Sequence, residues 1–177
     1  MSLPRSRPAD ADGVVDTLDD GKRVLRFERR LNHPVDRVWT ALTTPEGLLA
    51  WWGVAEELEL VEGGRLVLRW LNEDEDGNRL VLHGKITRLE PPSVLEFDTD
   101  VHGLLRFELS EREGVTVLKF SSTVDFPTDG VPLALAGWHL HLNFLDASLA
   151  GEPTDLVDLP MGDWQRWHDQ YRARQSG

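Results

Sequence analysis

The sequence predicts an α+β domain in which a curved antiparallel sheet wraps round one long helix near the C-terminus. Three observations lead there. The stretch Val131–Gly151 reads as a helix that is apolar on most of its circumference. Val131, Leu135, Trp138, Leu142, Leu145 and Leu149 form one stripe at about 100° per residue, and Leu133, Leu140 and Phe144 form a second. Only a narrow strip holding His139, Asn143 and Asp146 suits water. A helix of that kind must be covered on most sides. From Val54 to Asp125 the apolar residues instead alternate with polar ones, the pattern of strands. The connections between these strands are short, and short connections join antiparallel neighbours.

Met1–Gly13 is rich in Pro, Asp and Ala without periodicity, and is expected to be a disordered leader (residues 1–13). One domain is expected over residues 14–175, with no internal repeat and no second core. Val14–Leu18, Asp19-Asp20-Gly21 and Lys22–Leu31 read as strand, tight turn and longer strand, since Asp-Gly is a strong hairpin signal. In the second strand Leu25 and Phe27 alternate with Arg26 and Glu28. His33-Pro34 breaks it. Val35, Val38, Trp39 and Leu42 then recur at helical spacing, with Pro34 suited to the first turn. Thr44-Pro45 ends that helix, and Pro45 opens a shorter one carrying Leu48, Leu49, Trp51 and Trp52, closed by Gly53.

Six strands are predicted next: Ala55–Glu62, Arg65–Leu71, Arg79–Glu90, Val94–Thr99, Leu104–Ser110 and Val115–Asp125. Turn residues separate them, at Gly63-Gly64, in EDEDGN, at Pro91-Pro92, at His102-Gly103 and across Arg112–Gly114. After the long helix the chain closes with an amphipathic tail helix, Asp163–Gln175. Trp164, Trp167 and Tyr171 share one face of it. A short helix with two indoles and a phenol needs a surface to lie on. The tail is expected to dock on its own domain, against the N-terminal strands or the rim near the entry helices. That favours a monomer; a homodimer through the same aromatics is the alternative.

Composition excludes several classes. There are no cysteines, so disulfides and thiolate chemistry are ruled out. A net charge of −12 repels phosphate backbones, so no nucleic-acid partner is expected. MSLPRSRPADADG lacks the apolar core of a secretory signal, and no stretch suits a membrane, which points to a cytoplasmic protein. His139 and His141 are two apart, about 200° round a helix, and do not form a metal pair. EDEDGN lacks the length and closing Glu of a calcium loop and reads as a solvated turn. No HExxH, Walker-type or GxSxG string occurs, and no metal or cofactor is expected.

Four strings together resemble one family. VWTALTTPEGLLAWWG resembles its entry helices, EGGRLVLRW its Gly-Gly-Arg strand, DGNRLVLHGKITRLEPPSVLEF its Glu-Pro-Pro strand pair, and AGWHLHLNFL the Gly-Trp opening of its last helix. Their order and spacing over about residues 24–150 resemble the helix-grip, START-like or SRPBCC superfamily. The nearer likeness is to the branch named for the activator of heat-shock-protein-90 ATPase. The resemblance implies a cavity between the long helix and the sheet that holds an apolar small molecule. It does not imply catalysis, since one fold hosts many functions.

The residues add candidates for such a cavity. Trp70 alternates with Leu66 and Leu68 on a strand, Phe97 pairs with Leu95 and Phe107 with Leu105 on inner faces, and Trp138 shares a helix face with Leu142. Core packing is the simpler role for Trp138. One of Trp51 and Trp52 must point differently from the other, since neighbours on a helix differ by about 100°, and that one is placed to line a cavity mouth. Gly137 is expected to admit a neighbouring backbone. His83, on a strand, and His141, on the long helix, are placed to reach a cavity from opposite walls; a plain surface or hydrogen-bonded role is the simpler reading of each. Three functions follow. The first is binding of an apolar small molecule without catalysis. The second is a cyclase or hydrolase of an aromatic or polyketide-type substrate, with His83, His141 or a carboxylate as acid–base group. The third is an interaction module that partners a chaperone.

Overall fold

Helix α3, Val131–Leu149, lies across the concave face of an eight-stranded sheet. The computed structural model describes residues 12–175. The strands are β1 (Val14–Thr17), β2 (Arg23–Leu31), β3 (Val54–Leu58), β4 (Arg65–Arg69), β5 (Val81–Glu90), β6 (Val94–Thr99), β7 (Gly103–Arg112) and β8 (Val115–Val124). Their order is β1-β2-β8-β7-β6-β5-β4-β3, antiparallel throughout. Only β2 and β8 are neighbours distant in sequence, and the two entry helices fill the gap between β2 and β3. Register shifts at Ala55/Glu57 and Ile86/Arg88 mark irregularities of the kind that bend and twist strands. This is the predicted α+β helix-grip fold.

The entry helices are α1 (Val35–Thr43) and α2 (Pro45–Leu49). Glu111 accepts the Val35 N–H at 3.0 Å, placing a carboxylate where the helix dipole favours it. Thr44 caps α2 by accepting the Gly47 N–H at 3.0 Å, with Pro45 at the first helical position. α2 ends sooner than predicted. Trp51 and Trp52 follow it in a turn, and Gly53 presses against β4, where a Cβ would stand 2.6 Å from the Arg69 carbonyl oxygen.

The core is built in cross-strand rows. Phe27, Phe120, Phe107 and Leu95 are successive partners across β2, β8, β7 and β6. Trp138 of α3 lies over this row, its ring centroid 4.4 Å from that of Phe120. All of these side chains are buried. At about 1.5–3 kcal/mol for each large apolar side chain buried, such rows dominate the stability of the grip.

Helix α4, Met161–Gln175, packs along α3 rather than on the N-terminal strands or the entry-helix rim. His139, expected to face water, is therefore buried at 2 % exposure. Leu133, expected to be covered, is exposed instead. The expected leader falls mostly on residues 1–11, outside the described residues. Its last two residues are packed, however. Asp12 is largely buried, and the Gly13 N–H donates to the Tyr171 hydroxyl at 2.8 Å.

Candidate ligand pocket

A pocket of about 180 Å³ opens beside the N-terminal half of α3. One face of the helix supplies Leu133, Ala134, Gly137, Trp138 and His141. Opposite stand Trp70 and Leu80, which close the end of the β4–β5 ladder through a Trp70 N–H bond to the Leu80 carbonyl at 2.9 Å. Trp52 enters from the turn after α2, and His102 from the β6–β7 turn. Leu80 and Leu133, each 47 % exposed, form an apolar rim.

The two adjacent indoles lie in the turn after α2 and stack on each other rather than diverging as helix neighbours would. Trp51 turns into the core, edge-on to Phe107 at 6.4 Å, and its Nε1–H donates to the Ala41 carbonyl at 2.9 Å. Trp52 stacks on it at 5.3 Å and reaches the pocket, edge-on to Trp70 (6.1 Å) and Trp138 (5.6 Å). Three indoles thus wall a space large enough for one ring. An engineered apolar cavity of about 150 Å³ takes benzene, whereas pockets for drug-sized ligands run to about 300–1,000 Å³.

Gly137 departs from expectation. A Cβ built there meets no heavy atom within 4 Å, so no backbone approaches it. The missing side chain is pocket space. A glycine inside a helix costs about 0.5–1 kcal/mol relative to alanine, and packing gives no reason for it here.

Of the residues singled out from sequence, Trp70, Trp138 and His141 meet at the pocket. Phe97, Phe107 and Leu142 are fully buried in the core and do not line it. Alternation fixes the face a side chain takes but not its depth along the strand. His83 does not line this pocket. It pairs with Val67 on the outer face of the sheet and is exposed, because its neighbour Leu82 takes the inner face.

In the sequence, His102 stands out only as part of a turn. Its ring stands 5.1 Å from Trp138 and 5.6 Å from Trp70, centroid to centroid. Burial, and then the neighbouring His141, push its pKa down to about 4, so it is neutral near pH 7. Burial also lowers the pKa of His141. The His141 Nδ1 lies 2.8 Å from the Gly137 carbonyl oxygen, which can only accept, so Nδ1 carries the proton and Nε2 the lone pair. Although the His141 ring is partly exposed, Nε2 is buried and unpartnered among the described residues.

On another side of α3 lies a polar cluster of a different kind. Tyr171 hydrogen-bonds His139 Nδ1 at 2.7 Å, and Arg29, on the inner face of β2, donates to Asn143 Oδ1 at 2.7 Å. These groups join α4, α3 and β2. A wider concavity of about 520 Å³ includes the outward side chains Arg26, Glu28, Arg106, Glu108 and Lys119. Arg106 is paired there with Glu96 and Glu108, and Arg26 with Asp16. Arg26 and Arg106 are thereby committed to carboxylates, and Val14, Phe27 and Phe120 also border this concavity.

A long helix gripped by a curved antiparallel sheet, with an aromatic pocket between them, defines a helix-grip domain of the START-like superfamily. Residues 32–150 match the family described as Activator of Hsp90 ATPase homolog 1-like protein, and the chain belongs to that family. Among solved structures, CalU16 from Micromonospora echinospora is 25% identical, with a TM-score of 0.68 over 92% of this chain and 96% of that one. EF2215 from Enterococcus faecalis, described as a conserved protein of unknown function, is 20% identical, with a TM-score of 0.71 over 93% and 90%. DynU16, described as a protein in the dynemicin biosynthetic locus, is 20% identical, with a TM-score of 0.62 over 73% of this chain and 48% of that one. No curated protein sequence matches this chain. Among the described residues no helix is long and apolar enough to cross a membrane.

Proposed function

We propose that this protein binds a small aromatic molecule in the pocket between α3 and the end of the β4–β5 ladder. One observation carries the reading: the side chain absent at Gly137, in mid-helix, leaves open space that adjoins Trp52, Trp70 and Trp138. Stacked and edge-on rings favour a flat aromatic guest, and the apolar rim of Leu80 and Leu133 favours its entry. The occurrence of a structural relative, DynU16, in a biosynthetic locus supports a biosynthetic small molecule as the ligand.

The test is a titration with p-xylene, followed through the indole N–H signals in a nitrogen–proton NMR spectrum. The signals of Trp52, Trp70 and Trp138 are expected to shift and saturate, while those of Trp39 and Trp164 stay still. No saturable shift at the three pocket indoles would reject the reading.

A second reading, acid–base chemistry on the same ligand, rests on the two neutral imidazoles that line the pocket. It requires that replacement of His102 or His141 abolish turnover while leaving ligand affinity within a few-fold. Loss of affinity alone would assign them to binding.

A further inference from the structure

His102 has a rigid mount and an uncommitted ring. Its N–H donates to Thr99 Oγ1 at 3.1 Å, and its carbonyl accepts from Ser122 Oγ at 2.8 Å. Thr99 Oγ1 donates in turn to the Gly103 carbonyl at 2.8 Å. Both hydroxyl residues are buried. Gly103 has φ +66°, and a Cβ there would stand 2.0 Å from the Thr123 carbonyl oxygen, so only glycine lets the turn sit this close to β8. These bonds hold the main chain at His102 and Gly103, and with it the direction of the His102 side chain.

The ring itself, by contrast, makes no hydrogen bond to the described residues. It sits between Trp70 and Trp138 as a phenyl ring would. His102 is half-buried and neither of its nitrogens is a buried unpartnered atom, so they are open to solvent or to a guest in the pocket that the ring lines. In the other imidazole of the pocket, His141 Nδ1 bonds the Gly137 carbonyl, and Nε2, though unpartnered among the described residues, is buried and so less open to a guest than the His102 ring.

We infer that His102 is the specificity-determining residue of the pocket and that the ligand is an aromatic ring carrying a hydroxyl, a phenol-type compound. A neutral imidazole presents one N–H donor and one lone pair, and a phenolic hydroxyl both gives and accepts a hydrogen bond. The indoles take the ring, and His102 selects the hydroxylated form over the bare hydrocarbon. This inference rests on the pocket being a ligand site, as proposed above, and refines it to a chemical class.

The experiment is a calorimetric titration of the full chain with p-cresol and with p-xylene, which differ by a hydroxyl in place of a methyl group. Each is titrated into the wild type and into His102→Phe. The expected result is an affinity ratio, p-cresol over p-xylene, that falls at least about fivefold in His102→Phe, the worth of one net hydrogen bond. An equal ratio in the two proteins overturns the assignment of His102 and leaves the pocket reading standing. Binding of neither compound to the wild type overturns both. A readout independent of the variant's folding is the His102 imidazole nitrogen shift in the wild type. It is expected to move with p-cresol and not with p-xylene; the same response to both would overturn the inference.

Discussion

The imidazole of His139 lies flat on the indole of Trp167, their ring centroids 3.7 Å apart and their planes 21° from parallel. This stack fixes α4 to α3. It covers a polar ring whose Nδ1 is met by the Tyr171 hydroxyl, which lets His139 sit at 2 % exposure. Trp167→Ala is expected to destabilise the protein by about 2 kcal/mol, below the cost of emptying a fully buried tryptophan site because Trp167 is only half-buried. Urea unfolding measures it, and an unchanged midpoint would show that α4 rests on α3 without holding it.

Tyr171 joins three segments through one hydroxyl, bonding the Gly13 N–H at 2.8 Å and His139 Nδ1 at 2.7 Å. Tyr171→Phe leaves both partners unmet in a buried site. The expected loss is about 1–3 kcal/mol. Hydrogen exchange at the Gly13 amide should rise with it, and unchanged exchange would mean that the tether does not hold the chain at this point.

Burial, with the nearby Arg29 charge as the next cause, holds the His139 pKa at about 4, against an ordinary 6.5. Arg166 and Arg174 also oppose its protonation, while Asp12 favours it, and Tyr171 is its hydrogen-bond partner. The unfolded chain therefore binds more protons than the folded one between about pH 6.5 and 4, and stability rises with pH across that window. The full contribution is present above about pH 6.5 and is lost as pH falls towards 4. Replacing His139 by Gln should flatten this slope relative to the wild type. Equal slopes in urea midpoints from pH 7 to 4 would contradict the burial of a neutral imidazole.

The fold was legible because its signals are local and periodic. Alternation marked each strand from β3 to β8 to within a few residues, and the all-round apolar character of α3 required a grip. The pocket was legible in part. Trp70 and Trp138 announce themselves by size and by the face they take. His102 does not, because His102-Gly103 reads as turn punctuation. Its inward aim is set by Thr99 and Ser122, the second of which is 20 residues away in sequence. His139 looked solvent-facing on a helical wheel because the wheel cannot see α4. The phase of β5 was enough to turn His83 outward, since Leu82 beside it had to face the core.

Two glycines should respond in opposite directions to alanine. Gly103→Ala drives a Cβ to 2.0 Å from the Thr123 carbonyl oxygen at a positive φ, and is expected to cost more than about 2 kcal/mol. Gly137→Ala meets open space and removes a helix-interior glycine, a gain of about 0.5–1 kcal/mol. Thermal unfolding of the two variants checks both signs, and a destabilised Gly137→Ala would mean that the space beside the helix is needed for packing.

The same position gives the most direct test of ligand binding. Gly137→Leu adds a branched side chain on the wall of the roughly 180 Å³ pocket, at a position where its Cβ meets no heavy atom within 4 Å. Calorimetric titration of p-xylene into the wild type and into this variant compares an open pocket with a filled one in an otherwise intact fold. The expected result is saturable binding to the wild type, and none to a Gly137→Leu protein that unfolds at the same temperature or higher. Equal binding to both proteins would place the ligand elsewhere and contradict the pocket as the site.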